Sequence, residues 1–464
     1  MSRFVVRPSK FRHVYGTGAK REVSYDNVKV SGNAWDTNLI KVNPKFFSLN
    51  WNSGGGGAFA VVPLTMTGKL LETLPLCRGH SAAVLDTDFS PFNDYLIASG
   101  SEDSKVFIYN IPEELGEEDI DPVVRLTTHG RKVGQVSFNP VAENVLLSAS
   151  ADLTMKLWDV EKGEEKQDIT GHMEVIQSVN WNYNGTLVAT TCRDKKLRIF
   201  DVRSNKIVMQ GDSHPGVKGS RVVWMGDNRL ASTGFSKMSD RQVNIWDASN
   251  LDKPLRSTNL DTSSGVIMPF YDGDSNMLYL AGKGDGNIRY YEFENDELFL
   301  LSEFSSTTPQ RGIGFMPKRA LNTNECEIAR AYKVSNTIVE PISFTVPRKS
   351  DSFQADLFPD CAADEPALTA DAWFDGEDAN PKLISLEKGF IAPAKKEFVA
   401  SAAAQAAETI VVAPKSDKDY QEAYHKLRQE NEDLKNQLAQ KDVKIRLLEV
   451  QLEQLNPPSA SSSS

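Results

Sequence analysis

The chain has 464 residues and a mass of 51.4 kDa, which allows two to four ordinary domains or one large repeat architecture. Its 63 acidic residues outnumber its 52 Lys and Arg, and the net charge of −11 argues against a general binder of nucleic acids or anionic membranes. No apolar run approaches the roughly 18 residues that cross a bilayer, and the N-terminus lacks the apolar core of a signal peptide. We therefore expect a cytoplasmic protein that does not insert into membranes. Its four cysteines are too scattered to predict a disulfide framework or a zinc cluster.

The N-terminal 45 residues are basic, with nine Lys or Arg against three acidic residues, whereas the rest of the chain carries a net charge of −17. The stretch FFSLNWNSGGGGAFAVVPL follows and reads as two strands around a glycine-rich hairpin. A phosphate-binding loop is a weaker interpretation of Gly54 to Gly57, because no helix follows these glycines.

The central part of the chain contains an internal repeat. Each copy begins with Asp, alternates apolar and polar residues and carries an aromatic residue at its seventh place; the copies are DSKVFIYN from Asp103, DLTMKLWD from Asp152, DKKLRIFD from Asp194, DRQVNIWD from Asp240 and DGNIRYYE from Asp285. The aromatic residues lie 42 to 49 residues apart, close to the roughly 40 to 45 residues of a WD repeat. The alternation and the Gly, Asn and Asp turns indicate strands.

A histidine precedes four of these copies, at His80, His129, His172 and His214. In a WD repeat, such a histidine, a strand Ser or Thr, the turn Asp and the Trp form a hydrogen-bonded set that ties the strands of one blade together. The third blade has the whole set: His129, Ser148, Asp152 and Trp158. Tyr109 and Phe200 replace the Trp in the second and fourth blades, so shorter networks are expected there. Because the His, Ser and Asp constellation recurs with the blade period, we interpret it as scaffold and not as a catalytic site.

Five recognisable blades do not account for all the strand-rich sequence. Residues 46–64 would supply a first blade, and GIGFMPKRALNTNECEIARAYKVSNTIVEPISFTVP would supply a seventh. A propeller must close to protect its edge strands, so we predict an all-β, seven-bladed WD-repeat β-propeller over residues 1–346, sealed by pairing of the N-terminal strand with the last blade. Six blades are the alternative.

Three further segments are predicted after the propeller. Residues 347–394 are rich in Pro and Asp but carry scattered large apolar side chains, and we expect them to run back over the propeller surface. Residues 395–418 read as a flexible linker with little fixed structure. Residues 419–456 show a heptad pattern typical of an α-helical coiled coil, and a disordered tail follows over residues 457–464. A lone amphipathic helix lying on the propeller is the alternative to the coiled coil.

The expected coiled-coil seam is largely apolar. Its a positions are Tyr424, Asn431, Leu438, Ile445 and Leu452, and its d positions are Tyr420, Leu427, Leu434, Lys441, Leu448 and Leu455.

The chain has no phosphate loop of the GxxxxGK[ST] type, no HExxH zinc motif and no GxSxG nucleophile elbow. We therefore predict a protein without enzymatic activity, cofactor or metal.

Several long stretches resemble the coronin family. They are RPSKFRHVYG near the N-terminus, KVNPKFFSLNW and GGGGAFAVVPL in the first blade, GKGDGNIRYYE in the sixth, and TPQRGIGFMPKR, CEIARAYKV and EPISFTVPRKSDSFQADLFPD beyond it. The resemblance covers roughly the first 390 residues, and the coiled coil lies where short coronins carry theirs.

The resemblance implies binding to the sides of actin filaments, contact with the branched-actin nucleation complex and with cofilin, and a place in the actin cytoskeleton at the cell cortex. Lys29 in NVKV matches a basic filament-contact position of the family that is usually Arg. Lysine cannot make the planar two-pronged contact of arginine. A basic first blade on an acidic protein would favour and orient contact with an acidic filament. The further candidate filament-binding residues of the basic segment are Lys10, Arg12, Lys20 and Arg21.

The oligomeric state has conflicting signals. Asn431 at an a position favours a parallel dimer. Lys444, Ile445, Leu448 and Glu449 resemble the trimer signature of coronin coiled coils, with Lys in place of Arg, and the resemblance therefore implies a parallel homotrimer. The alternative function is a generic WD-repeat adaptor that dimerises through the coiled coil and reads a peptide partner.

Overall fold

The computed structural model describes residues 7–401 except 55, 227, 350–351 and 390–394, together with residues 404 and 428. The chain divides into two compact units, Met1–Glu408 and Thr409–Ser464. The first unit contains a seven-bladed β-propeller, as the repeat predicts. The residues predicted to form the coiled-coil seam lie outside the described residues.

The first 80 residues contain blade 1 and three further strands that join the last blade. Strands β3, β4, β5 and β7 form this antiparallel blade, whereas β1, β2 and β6 join blade 7. The bounds are β1 (Tyr15–Gly18), β2 (Tyr25–Asp26), β3 (Ile40–Val42), β4 (Phe46–Trp51), β5 (Gly57–Pro63), β6 (Gly68–Lys69) and β7 (Leu76–His80), with a 3-10 helix at Arg21–Val23.

Blades 2 to 4 are each built from four consecutive antiparallel strands. Blade 2 contains β8 (Val84–Phe89), β9 (Leu96–Ser101), β10 (Val106–Asn110) and β11 (Val124–Leu126). Blade 3 contains β12 (Val133–Phe138), β13 (Val145–Ser150), β14 (Met155–Asp159) and β15 (Glu164–Ile169). Blade 4 contains β16 (Ile176–Trp181), β17 (Leu187–Cys192), β18 (Lys196–Asp201) and β19 (Lys206–Asp212).

The remaining blades complete the ring. Blade 5 contains β20 (Arg221–Met225), β21 (Arg229–Phe235), β22 (Arg241–Asp247) and β23 (Arg256–Asp261). Blade 6 contains β24 (Ile267–Asp272), β25 (Met277–Gly282), β26 (Asn287–Glu294) and β27 (Glu297–Ser305). Blade 7 contains β28 (Gly312–Phe315), β29 (Glu327–Val334) and β30 (Ile338–Thr345), with 3-10 helices at Lys318–Ala320 and Thr323–Glu325.

Burial along the strands explains why the repeat has its apolar centre. Every residue of β13 and β25 is buried, because each middle strand is covered on both faces by neighbouring blades. The outermost strands β19 and β23 face solvent; β23 is mostly polar, whereas β19 exposes Ile207 and Val208 beside its polar residues. The apolar runs of the sequence are therefore the second and third strands of each blade.

The N-terminal segment closes the ring by pairing with the last strand of the propeller. Strand β1 pairs antiparallel with β30, from Tyr15 opposite Thr345 to Gly18 opposite Ile342. Strand β2 pairs with the other end of β30, where Tyr25 lies opposite Val339. This arrangement confirms the predicted closure of a seven-bladed ring. It covers the edge that β30 would otherwise expose.

The acidic segment packs against the propeller. Its short helix α1 (Ala370–Phe374) buries Trp373, whose indole Nε1 donates to the Gly185 carbonyl at 3.1 Å. Strands β31 (Cys361–Ala362) and β32 (Leu383–Ile384) pair with each other, and Leu357 is buried with side chains of blades 6 and 7. Apolar residues hold this segment on the surface despite its negative charge.

The expected linker differs from the structure at its N-terminal end. The Ser401 amide donates to the Glu161 carbonyl at 2.8 Å. Ala400 and Ala404 are buried beside blades 2 and 3, and Phe398 packs against the same cluster. Small alanine side chains fit closely against the propeller surface here, which an interpretation based on alanine-rich composition could not foresee.

Candidate functional site

Loops at one end of the blades carry the hydrogen-bonded sets named in the sequence. Successive strands of a blade are antiparallel. The loop that connects the second and third strands therefore lies at the same end of the blade as the loop that leads from the fourth strand to the next blade. We call this end the upper face. In blade 3, His129 Nδ1 lies 2.9 Å from Asp152 Oδ2, and its Nε2 lies 2.7 Å from Ser148 Oγ. Trp158 Nε1 donates to the same hydroxyl at 2.8 Å.

This set fixes the blade internally. Burial alone would raise the pKa of Asp152, but hydrogen bonds from His129 and from the Gly130 amide hold that pKa well below its ordinary value. All four side chains are engaged with one another and tie a loop, a turn and two strands together. The arrangement is that of a scaffold.

The other blades vary the set. In blade 2, His80 retains both partners, Asp103 at 2.9 Å and Ser99 at 2.8 Å, whereas the Tyr109 hydroxyl donates to the Arg78 carbonyl. Blade 5 keeps the indole bond of Trp246 to Ser232. The substitution of Trp by Tyr therefore redirects one bond without dismantling the network.

Blade 4 departs further than its sequence indicates. Arg198 pairs with Asp194 at 2.6 Å, and within the part of the chain that the structure describes, His172 hydrogen-bonds through its side chain to Thr190 alone, at 2.9 Å. Burial, followed by the nearby Arg198 charge, lowers the pKa of His172 to about 4. The position of Arg198 four residues after Asp194 was the available signal for this change.

The predicted filament-contact residues at the start of the chain lie near blades 6 and 7. Lys10 donates to the Asp356 carbonyl and Arg12 donates to the Arg7 carbonyl, with both side chains on exposed residues. Arg7 is paired with Glu292 and Glu294 of blade 6. Lys10 and Arg12 are thus anchored by backbone oxygens and keep their charges free of carboxylates among the described residues.

The remaining candidates lie at the opposite end of β30. Lys20 is exposed, Arg21 is 77% exposed and pairs with Asp26 at 2.8 Å, and Lys29 is 49% exposed with Glu72 at 3.9 Å. The Lys29 backbone lies at the seam between blades 7 and 1, since its carbonyl accepts from the Asn52 amide at 2.7 Å. Its neighbour Val30 bridges to Trp51 of β4.

The part of the basic segment that carries these five candidates, residues 10–29, therefore lies outside blade 1, whereas Lys41 of the same segment belongs to β3 of that blade. Residues 10–29 follow the outer edge of β30, a strand of eight residues that spans roughly 24 Å between its paired ends. Lys69 joins the group that contains Lys20, Arg21 and Lys29, because β6 pairs parallel with β2 and places Lys69 beside Asp26. Sequence reasoning missed Lys69, which lies at least 40 residues away from the other three along the chain. We call Lys20, Arg21, Lys29 and Lys69 the basic edge.

The central channel is a second candidate ligand site. Its cavity of about 390 Å³ is lined by the first strands of several blades, and Lys41 within it pairs with Asp88 at 3.1 Å. Residues 33–38 cross its upper mouth, because Trp35 Nε1 donates to the Gly134 carbonyl of blade 3 at 3.0 Å while Lys283 of blade 6 donates to the Trp35 carbonyl at 3.1 Å. Burial raises the pKa of Asp86, beside Lys41, to about 6. Residues 33–38 thus cover part of the upper opening of the channel.

Within the described ranges, no group of three or more His, Cys, Asp or Glu is arranged to hold a metal ion. In the same part of the chain, no helix has the length and apolarity required to cross a bilayer.

Comparison with known families divides the chain into recognised parts. Residues 4–69 match a family described as a domain of unknown function (DUF1899). Residues 68–110, 120–159 and 163–201 match the WD domain, G-beta repeat, and residues 339–381 match a type of WD40 repeat. Each WD match spans the outermost strand of one blade and the first three strands of the next.

Comparison with individual proteins decides the family. The chain is 52% identical over 418 residues to a coronin-like protein of Schizosaccharomyces pombe, covering 87% of this chain and 69% of that protein. It is 47% identical over 448 residues to Coronin-A of Dictyostelium discoideum, covering 96% and 99%. The chain belongs to the coronin family. Against a Saccharomyces cerevisiae coronin-like protein, this coronin is 53% identical and spans 61% of the relative's length.

A solved coronin propeller supports the fold. The crystal structure of the WD40 domain of Toxoplasma gondii coronin superposes with a TM-score of 0.77 at 32% identity, covering 82% of this chain and 98% of that one. Coronin membership brings an association with the actin cytoskeleton, and the WD-repeat propeller is a scaffold type of fold.

Proposed function

We propose that this coronin binds the sides of actin filaments through the basic edge at the seam of blades 7 and 1. The supporting observation is the concentration of four exposed cations on, or within five residues of, the paired strands β2 and β6 of a closed ring. Rigid placement lowers the entropy cost of docking, and positive charge favours approach to an acidic filament. Lys10 and Arg12, near the other end of β30, would extend the contact along the same edge.

The neighbouring acidic residues leave these cations available to bind filament carboxylates. Glu72 is 68% exposed and lies 3.9 Å from Lys29. Ion pairs of this exposed kind contribute little to stability, so Lys29 can exchange its partner for a filament carboxylate at low cost. Asp26 engages Arg21 more closely, at 2.8 Å. We therefore assign Lys29 a larger role than Arg21.

Further parts of the proposal rest on the coronin family. Residues 419–456 would form a coiled coil, a homotrimer in preference to a dimer, and residues 395–418 would connect it to the propeller. Contacts with the branched-actin nucleation complex and with cofilin would let the protein modulate branching and filament turnover at the cell cortex. No catalytic step is required for these roles.

Filament co-sedimentation tests the proposal. Lys29→Glu should reduce pelleting at low salt several-fold, because it replaces attraction by repulsion at the centre of the basic edge. Glu72→Lys should increase pelleting, and Lys253→Glu, an exposed change in blade 5, should leave it unchanged. Equal pelleting of all variants with unaltered melting temperatures would exclude the basic edge as the contact. A wild-type protein that does not pellet would favour the adaptor function instead.

A further inference from the structure

A second unusual surface lies on the upper face over blades 4 and 5. Three apolar residues there are strongly exposed: Met173 (76%), Val217 (83%) and Met238 (83%). Each lies in a different loop, so exposure is not the property of one projecting segment. Large apolar side chains brought together in this way mark interaction sites.

Hydrogen bonds join these loops into one surface. The Arg193 amide donates to the Val175 carbonyl at 2.9 Å, next to the loop of Met173. Lys195 Nζ then donates to the Pro215 carbonyl at 2.8 Å, which links blade 4 to the loop of Val217. The Gly216 amide donates to the Phe235 carbonyl at 2.8 Å, and the loop of Met238 follows Phe235 directly. The three apolar residues therefore lie on a continuous strip.

Lysines alternate with the apolar residues along this strip. Lys195, Lys218 and Lys237 are exposed, and among the described residues none of them is paired with a carboxylate. Among the nearby acids, Asp194 pairs with Arg198 at 2.6 Å, whereas Asp240 accepts only a neutral bond from Ser236 at 3.1 Å and Glu174 is exposed beside Met173. Exposed Arg193 and the three lysines outnumber the carboxylates of Asp240 and Glu174, so the loops combine a net positive charge with adaptable apolar contact.

We propose that Met173, Lys195, Val217, Lys218, Lys237 and Met238, the upper patch, dock an acidic segment of a partner protein that carries apolar side chains. The lysines complement acidic residues, and flexible methionines accommodate apolar anchors of different shapes. Surfaces that enter membranes present Trp, Phe or Leu, and the upper patch presents none of them. The upper patch consists of residues other than those of the basic edge, so the proposal does not depend on filament binding there.

Binding of a synthetic peptide tests the charge requirement. The probe is a labelled peptide of Asp and Glu with Leu and Phe at helical spacing, measured with the full chain by fluorescence anisotropy; we expect a Kd of roughly micromolar order. The triple variant Lys195→Glu, Lys218→Glu, Lys237→Glu should weaken binding at least about tenfold. The matched triple Lys206→Glu, Lys253→Glu, Lys388→Glu makes the same charge change at exposed lysines outside the upper patch and should alter it less than about twofold. An equal loss of peptide affinity in both triple variants would show that only the net charge of the protein matters and would overturn the proposal.

The apolar requirement needs its own comparison. A second peptide with Ser in place of Leu and Phe should bind about tenfold more weakly, and Met173→Ser with Met238→Ser should remove that difference. Equal binding of both peptides would overturn the docking role of the apolar residues. Flotation with phosphatidylserine-containing vesicles and filament co-sedimentation complete the test. If the Lys195, Lys218 and Lys237 triple variant loses vesicle binding or filament pelleting while the matched triple variant keeps it, the upper patch binds a membrane or actin and the proposal is overturned.

Discussion

At the residue scale, Asp152 shows how one carboxylate organises a blade. Its oxygens accept from His129, from the Gly130 amide at 2.9 Å and from the Thr154 amide at 3.0 Å. The corresponding residue of blade 5, Asp240, accepts instead from Ser236 and has no bond to His214 in the described structure. The same residue type at the same repeat position therefore carries different structural weight in the two blades.

We predict that Asp152→Ala lowers the free energy of unfolding by roughly 1 to 3 kcal/mol, because it leaves buried donors without an acceptor. Thermal melting followed by circular dichroism measures the loss. Asp240→Ala is the matched control and should cost less. Equal melting temperatures for wild type and Asp152→Ala would show that the network does not stabilise blade 3.

We also predict that His172 makes the stability of the protein fall at acidic pH. The folded pKa of His172 is about 4, whereas an unfolded histidine titrates near 6.5. Between these values the unfolded chain binds the proton and the folded chain does not, so stability falls as the pH is lowered. From pH 7 to pH 5 this one group should remove roughly 2 kcal/mol. His172→Gln should flatten the fall in melting temperature over that range, and parallel curves for variant and wild type would contradict the assignment.

At the element scale, the repeat predicted the blades but not all contacts between distant segments. The seventh-place aromatics locate the third strand of five blades, because each must pack between neighbouring sheets. The pairing of β6 with β2 and the packing of Ala400 and Ala404 leave no periodic signal, since each depends on contact with a remote surface. Lys29 could be selected through the family resemblance, whereas Lys69 and the upper patch could not be predicted because they depend on contacts between remote segments.

We predict that helix α1 holds the acidic segment on blade 4 through Trp373. Trp373 is fully buried, and its ring lies 6.0 Å from that of Trp181. Trp373→Ala should release the acidic segment from blade 4, because α1 spans only five residues and depends on this anchor. Trypsin should then cleave faster at Lys382, while the propeller keeps most of its melting temperature. Leu383→Ala, at a residue that is 52% exposed, should leave cleavage unchanged. Unaltered cleavage of Trp373→Ala would show that other contacts suffice.

At the scale of the whole molecule, we predict that residues after 414 control assembly. Light scattering should give about three chains for the full-length protein and one for a chain ending at Pro414, as the trimer signature around Lys444 implies. Linked heads raise apparent affinity by roughly 10² to 10⁴, so truncation should weaken filament pelleting. The full-length variant Leu448→Glu should reproduce the truncation. A monomeric full-length protein would contradict assembly, and undiminished pelleting after truncation would remove avidity as its purpose.

Ring closure also determines when this protein can finish folding during synthesis. Strand β1 leaves the ribosome among the first residues, but its partner β30 ends at Thr345. At roughly 5 to 20 residues per second, translation separates the two strands by about 15 to 70 s. During that interval the growing chain adds blade after blade while its N-terminal strand stays unpaired and the ring keeps an open edge. The sealing contact thus joins the oldest part of the propeller to its newest, and a nascent chain that stops before β30 has no closed state to reach.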